Sequence, residues 1–312
     1  MPILRSLIFV ALTFNLSCGT ATKSPQAYGP QQIVSWNFDW DDNIAFMPTK
    51  VYIFHSKTGE EKTLTTGEFA TERSKIGKSG PLKDYELNYD NTNGSFREFR
   101  DGKNINYFVR DVNHLLSLKS DSWKGPSFPA FQKALSTPET AQFVTIITAR
   151  GHAPETLLAG IRTLQAKGLV KELPPKENLF GVSHPSLQGK ASSPSAVKVK
   201  IMLGILDKVN STSLPIDSEH VLDPNGKVEK PLHLWGFSDD DHKNYKKAVE
   251  ILSQEVAKGR WPHVKITLFF TGEHGQLKKE TKVIKTDGTL RDQMPAENQE
   301  VQKVLSRNPE AA

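Results

Sequence analysis

The sequence predicts an α/β fold, with a mostly parallel sheet that carries helices on both faces. Three observations predict it. From about residue 142 onward, short apolar runs alternate with helical patterns. The run at residues 142–148 is mostly apolar, through Phe143, Val144, Ile146 and Ile147, as expected of a strand covered on both sides. Three of the runs end abruptly in polar residues, at Asp39, Thr148 and Asp239. Open α/β sheets bind their ligands at the carboxyl ends of strands, so those endings mark one edge.

The elements follow in order. Residues 32–38 form the first strand, with Ile33, Val34, Trp36 and Phe38 supplying apolar bulk. A region of different character occupies residues 45–125. It holds strands at 50–54 and 62–66, with Lys57-Thr58-Gly59-Glu60 as the turn between them. Ile105, Phe108, Val109, Val112, Leu115 and Leu116 recur at helical spacing. Regular alternation then returns. Residues 154–167 form a helix, opened by Pro154 and closed by Gly168. Strands are expected at 178–182, 232–237 and 264–270, the last being the final core strand. Helices are expected at 195–209 and 241–258. A hairpin is expected around Asp287-Gly288, within a C-terminal hairpin and tail over residues 272–312.

The ends of the chain differ from this core. Arg5 precedes an apolar run through Leu7, Ile8, Phe9, Val10, Ala11, Leu12 and Phe14, and small residues follow. That order is the order of a signal peptide, read here as residues 1–17, and the run is too short for a mature membrane span. Residues 18–31 are polar and read as a tether. The sequence has one cysteine, Cys18, so no intramolecular disulfide can form. Leu16-Ser17-Cys18-Gly19 resembles a bacterial lipobox, which implies a lipid on Cys18. Cleavage after Ala21 is the competing reading. Either way the expectation is export to the periplasm or cell envelope, with the membrane touched only through that lipid. The net charge of +5 is spread along the chain. No dense basic block tracks a nucleic-acid backbone, so a polyanion partner is not indicated, though not excluded.

Chemistry concentrates at the strand ends. Asp39 and Asp41 stand two apart just past a strand, where one carboxylate can attack while the other moves protons. Taken alone they fit a helix cap or a solvated turn equally well. Asp239, Asp240 and Asp241 form a second acidic cluster. Clustered carboxylates without His or Cys suit a hard cation such as Mg²⁺. Their alternative is a helix N-terminus, a role that suits Asp241. Thr148, in Thr148-Ala149-Arg150-Gly151, offers a hydroxyl to a phosphate oxygen. Lys198 lies near the start of a helix, with Lys190 and Lys200 as competitors for the same role.

Taken together, the order of these motifs is informative. Asp-x-Asp after the first strand, Thr after a second, Lys at a helix start and an acidic pair after a later strand resemble the haloacid dehalogenase superfamily. The resemblance spans residues 32–270. It implies a Rossmann-like core from residues 32–44 and 126–271, with residues 45–125 as a cap inserted after the first strand. Asn43 stands where that family has Thr or Val. The resemblance implies a Mg²⁺-dependent phosphohydrolase acting on a small phosphorylated substrate. Asp39 would be the nucleophile, Asp41 the acid and base, and Thr148 and Lys198 the phosphoryl-binding groups. Metal would be held by Asp39, the Asp41 backbone carbonyl, and Asp239 or Asp240. The alternative keeps the fold as a non-catalytic surface binding module. His242 and Asn244 adjoin the acidic cluster, and Arg150 reads as a structural ion-pair partner, with contact to a substrate phosphate as the competing reading. The remaining histidines show no metal-ligand spacing.

Overall fold

The computed structural model describes residues 33–187, 193–211, 233–262, 264–272 and 279–292. The expected signal peptide, the tether with Cys18, Lys190 and the tail beyond residue 292 lie outside the described residues. In chain order the elements are β1 (Ile33–Phe38), β2 (Val51–His55), β3 (Glu61–Leu64), α1 (Thr66–Glu72), β4 (Tyr85–Glu86), α2 (Tyr107–Ser117), α3 (Phe128–Ala134), α4 (Pro138–Ala141), β5 (Val144–Thr148), α5 (Pro154–Ala166), β6 (Leu179–Gly181), α6 (Pro194–Ser211), β7 (His233–Asp239), α7 (His242–Ala257), β8 (Val264–Phe270), β9 (Glu280–Ile284) and β10 (Leu290–Asp292). Among the described residues no helix is long and apolar enough to cross a membrane.

The main sheet has the order β10-β9-β8-β7-β1-β5-β6. Strands β8, β7, β1, β5 and β6 are parallel. Strand β9 adds antiparallel to β8, and β10 antiparallel to β9. The sheet therefore does not stop at β8, which the sequence reading had as the last core strand. The hairpin supplies two more strands because Val283 and Ile284 bury their side chains. Its turn closes through Gly288, at φ 81°, and through Asp287 Oδ1, which accepts from Thr289 N at 2.8 Å.

Helices cover both faces. Phe38, Val144 and Ile146 pack with Phe108, Phe131, Leu157 and Ile161, from α2, α3 and α5. Ile147, Trp235 and Phe237 pack with Met202, Leu206, Tyr245 and Leu252, from α6 and α7. All five residues of β5 are buried, Thr145 and Thr148 among them, which accounts for the apolar weight of its sequence.

The segment between β1 and β5 divides in two. Strands β3-β2-β4 form a separate antiparallel sheet, with a small core of Val51, Ile53, Leu64, Ile76 and Leu82. The strand expected at 62–66 ends earlier, because Thr65 caps α1. Its side chain accepts from Glu68 N while Glu68 returns to the Thr65 backbone. That Thr-x-x-Glu capping box is written in the sequence, and it outweighs the β-preference of the threonines. Helix α2 belongs instead to the main core. Phe108 is fully buried and packs its ring 5.0 Å from Trp40.

Gly160 of α5 makes that approach possible. A Cβ there would lie 2.3 Å from the Phe108 ring. Gly160→Ala should therefore destabilise the fold by about 1–2 kcal/mol, the overpacking outweighing a helix-propensity gain of about 1 kcal/mol. Urea unfolding checks this; a stabilised variant would show that α2 docks more loosely than described.

Candidate active site

The strand order reverses at β1. Strands β5 and β6 extend to one side, and β7 and β8 to the other. A crevice opens at such a switch point, here between the carboxyl ends of β1 and β7. Phe38 is in register with Ser238, and Asp39 N donates to Ser238 O at 2.9 Å. Asp39 thus leaves the sheet beside Asp239, the last residue of β7. The backbone of β1 and β7 places the two carboxylates together.

Lys198 joins them. Its Nζ donates to Asp239 Oδ2 at 2.8 Å and lies 2.9 Å from Asp39 Oδ1, the second contact being an ion pair outside hydrogen-bond alignment. Lys198 is buried on α6 between Val197 and Val199. Lys200 is exposed. Among the described lysines, then, Lys198 is the one brought to the acidic residues.

Carboxylate oxygens of Asp39, Asp239 and Asp240 lie within 4.8 Å of one another. Asp39 and Asp239 are buried and Asp240 is half-buried. This acidic triad could hold a metal ion, and its oxygen-only donor set suits a hard one. Asp241 plays a different part. Its side chain caps α7 by accepting from Lys243 N at 2.7 Å, and its own N–H donates to Asp239 Oδ1 at 2.9 Å. Of the two residues flanking the cluster, Asn244 reaches Asp239 Oδ1 at 3.4 Å. His242 packs its ring against Phe270.

Burial sets the electrostatics. It pushes the Asp39 carboxyl up to about 7, with the charges of Asp239 and Asp41 adding and Lys198 opposing. Burial likewise raises Asp239 against the pull of Lys198, and raises Asp240 well above the usual carboxylate range, with the Asp39 charge adding. Burial alone would lower Lys198, but the charges of Asp239 and Asp39 hold it above its ordinary value. Three carboxylates against one ammonium leave an excess of negative charge that a cation or bound protons must balance.

Asp41 is held apart from the triad. Arg150 forks onto it, Nε to Oδ2 at 2.8 Å and Nη2 to Oδ1 at 2.6 Å. Thr148 Oγ1 also approaches Asp41 Oδ2, at 3.4 Å, and accepts from Arg150 N. Arg150 is fully buried, with its guanidinium over the rings of Phe99 and Phe108. Its Nη2 also donates to Thr49 Oγ1 at 2.7 Å, and Thr49 donates to Asp111.

The loop after β1 is tied down by Asn43, which the sequence reading marks only as a departure from the family pattern, and by Asp42. Asn43 Nδ2 donates to Asp39 O at 3.0 Å, to Ser238 O and to Ser238 Oγ. Its Oδ1 accepts from Ser127 Oγ and Thr271 Oγ1. A Thr or Val could not make this set, because it needs an amide that both donates and accepts. Asp42 adopts φ 51° and accepts from Thr66 Oγ1 at 3.1 Å, so the start of α1 is pinned over the loop. The far end of α1 is pinned too, by Arg73 to Asp241 at 3.1 Å. The signal for Arg150 was its place two residues after Thr148. The signal for Asn43 was its departure from the first motif, while Arg73 carried no signal readable without the fold.

Comparison with known proteins returned no match to any family model, curated protein or solved structure. The reading of the site therefore rests on its own geometry and on the motifs.

His152 lies next to this machinery. It is buried, both ring nitrogens lack partners among the described residues, and Phe108 lies 5.6 Å from its ring. Burial, with the Arg150 charge adding, pushes it down to about 2 from 6.5. The unfolded chain therefore takes up a proton below 6.5 that the folded chain refuses. Stability from this group is complete above pH 6.5 and falls as the pH drops toward 2, by about 1.4 kcal/mol per pH unit. His152→Leu should flatten the dependence between pH 6.5 and 4 in denaturant titrations. An unchanged slope would mean that His152 is not held neutral.

Proposed function

We propose that this chain is a Mg²⁺-dependent phosphohydrolase of the haloacid dehalogenase type, acting on phosphomonoesters. The observation that carries the reading is the contact of Lys198 with both Asp39 and Asp239 at the switch point, with Asp240 completing an acidic triad. A carboxylate nucleophile, a fixed ammonium and a cation-binding set converge where an anionic substrate needs all three. The four motifs in the order described above support the same reading.

In this mechanism an Asp39 oxygen attacks phosphorus, the ester P–O bond breaks, and the leaving oxygen takes a proton from Asp41. Water then gives a proton to Asp41 and attacks phosphorus. The bond to Asp39 breaks and inorganic phosphate leaves. Lys198 and Thr148 stabilise charge on the transferring phosphoryl group. Mg²⁺, when bound by Asp39, Asp239, Asp240 and the Asp41 carbonyl, neutralises the charge between nucleophile and substrate. Arg150 acts through Asp41 as a positioning residue. Its fork orients the carboxylate and must release one oxygen for proton transfer. Within residues 45–125 the small sheet of β2, β3 and β4, with α1, serves as the cap, while α2 belongs to the core; residues 1–17 direct export.

Hydrolysis of an aryl phosphate by protein beginning near residue 20 tests this. Release should require Mg²⁺ and fall by several orders of magnitude, about 10⁴-fold or more, in Asp39→Asn with the fold retained. Full activity in that variant would sink the proposal. Mg²⁺ binding without release from any phosphomonoester would favour the binding-module alternative.

A second expectation concerns Arg150. Arg150→Lys keeps the cation but loses the fork, and should lower kcat about 10–100-fold with little change in KM. An unaffected kcat would mean that the fork is purely structural.

A further inference from the structure

Beside the acidic triad the surface changes sign. Arg73, at the end of α1, and His242, Lys243, Lys246, Lys247 and Glu250, along α7, line an open groove of about 440 Å³. The groove begins two residues after Asp240. Its Arg73 is bonded to Asp241, whose N–H is bonded to Asp239. The groove therefore adjoins the candidate active site on the side that α1 covers.

Two features of the lysines call for an anion. Lys243, Lys246 and Lys247 stand at i, i+3 and i+4, so they share one helix face and repel one another. They also occupy the first two turns of a 16-residue helix, where the peptide dipoles already place positive charge. Both effects oppose folding. Among the described residues none of the three makes an ion pair, and Glu250 is the one carboxylate in the lining. A phosphate lying across this face would relieve both costs. Lys243 and Lys247 span about 6 Å of helix, room for one such group.

We propose that this groove binds a second phosphate of the substrate. The substrate class is then a phosphomonoester carrying another phosphate, whether a small bisphosphorylated molecule or the phosphorylated end of a nucleic-acid strand. The proposal rests on the phosphohydrolase reading for the first phosphate only.

The test reads binding without turnover. Full-length Asp39→Asn protein with Mg²⁺ is titrated calorimetrically with a nucleoside 5′-monophosphate, the 3′,5′-bisphosphate and a 5′-phosphorylated trinucleotide. The bisphosphate should bind about tenfold tighter than the monophosphate. The advantage should shrink with added salt and vanish in Lys243→Gln/Lys246→Gln/Lys247→Gln. In the Asp39 enzyme the same triple change should raise KM for the bisphosphate and leave monophosphate turnover unchanged. Further tightening with the trinucleotide identifies a strand end, and none identifies the small molecule. Equal affinity for mono- and bisphosphate, or an advantage that survives the triple substitution, overturns the groove. Lysine-dependent binding with no hydrolysis of any substrate would uphold the groove and overturn the phosphohydrolase reading.

Discussion

The buried contact of Lys198 with Asp39 and Asp239 is the constraint on which the rest of the site depends. An ammonium taken out of water alone costs several kcal/mol, and so does each carboxylate. Here the three groups are brought together from β1, α6 and β7, and each makes the others tolerable. Removing one member would leave an uncompensated charge, at a cost of about 3–5 kcal/mol. The arrangement is still incomplete, because Asp240 adds charge that Lys198 cannot match. Such a set is strained toward binding something positive, and a site of this kind serves ligand chemistry better than it serves stability.

A second polar system supports the first from the opposite side. Asp41 is gripped by Arg150, Arg150 by Thr49, and Thr49 by Asp111. From there Arg110 leads to Glu98, and Glu98 to Tyr52. The chain passes from the loop after β1 into the small sheet. Together with Thr66 on Asp42 and Arg73 on Asp241, it gives the segment between β1 and β5 three separate holds on the acidic loops. Movement in that segment is therefore felt at Asp41 through rigid, directional bonds.

Most of the main sheet could be read in the sequence, because its inner strands advertise themselves through short, mostly apolar runs that end in abrupt polar residues. Asp39, Thr148 and Asp239 were legible for that reason. Lys198 was legible only against the apolar residues around it, and nothing in the spacing separated it from Lys200 until the helix face was known. The outer strands β9 and β10 were harder, since their sequences are polar enough to pass for an isolated hairpin. Arg150, Asn43 and Thr49 act through contacts between residues tens to hundreds of positions apart. No local pattern encodes such contacts, and the chain must be folded before their partners are in view.

Strand β1 has no neighbour close to it in sequence. Its partners begin at Val144 on one side and His233 on the other. The strand that carries Asp39 is thus among the first parts of the described chain to be synthesised, yet one edge stays unpaired until about a hundred further residues exist and the other until about two hundred. Contacts of such long sequence separation make folding slow. An apolar strand left waiting with an open edge is also an invitation to mispairing. The small sheet of β2, β3 and β4 is built from local contacts and can form early, with α1 and its two anchors ready before the main sheet closes beneath them. On that order of events the roof over the acidic loops exists first, and the floor is assembled to meet it.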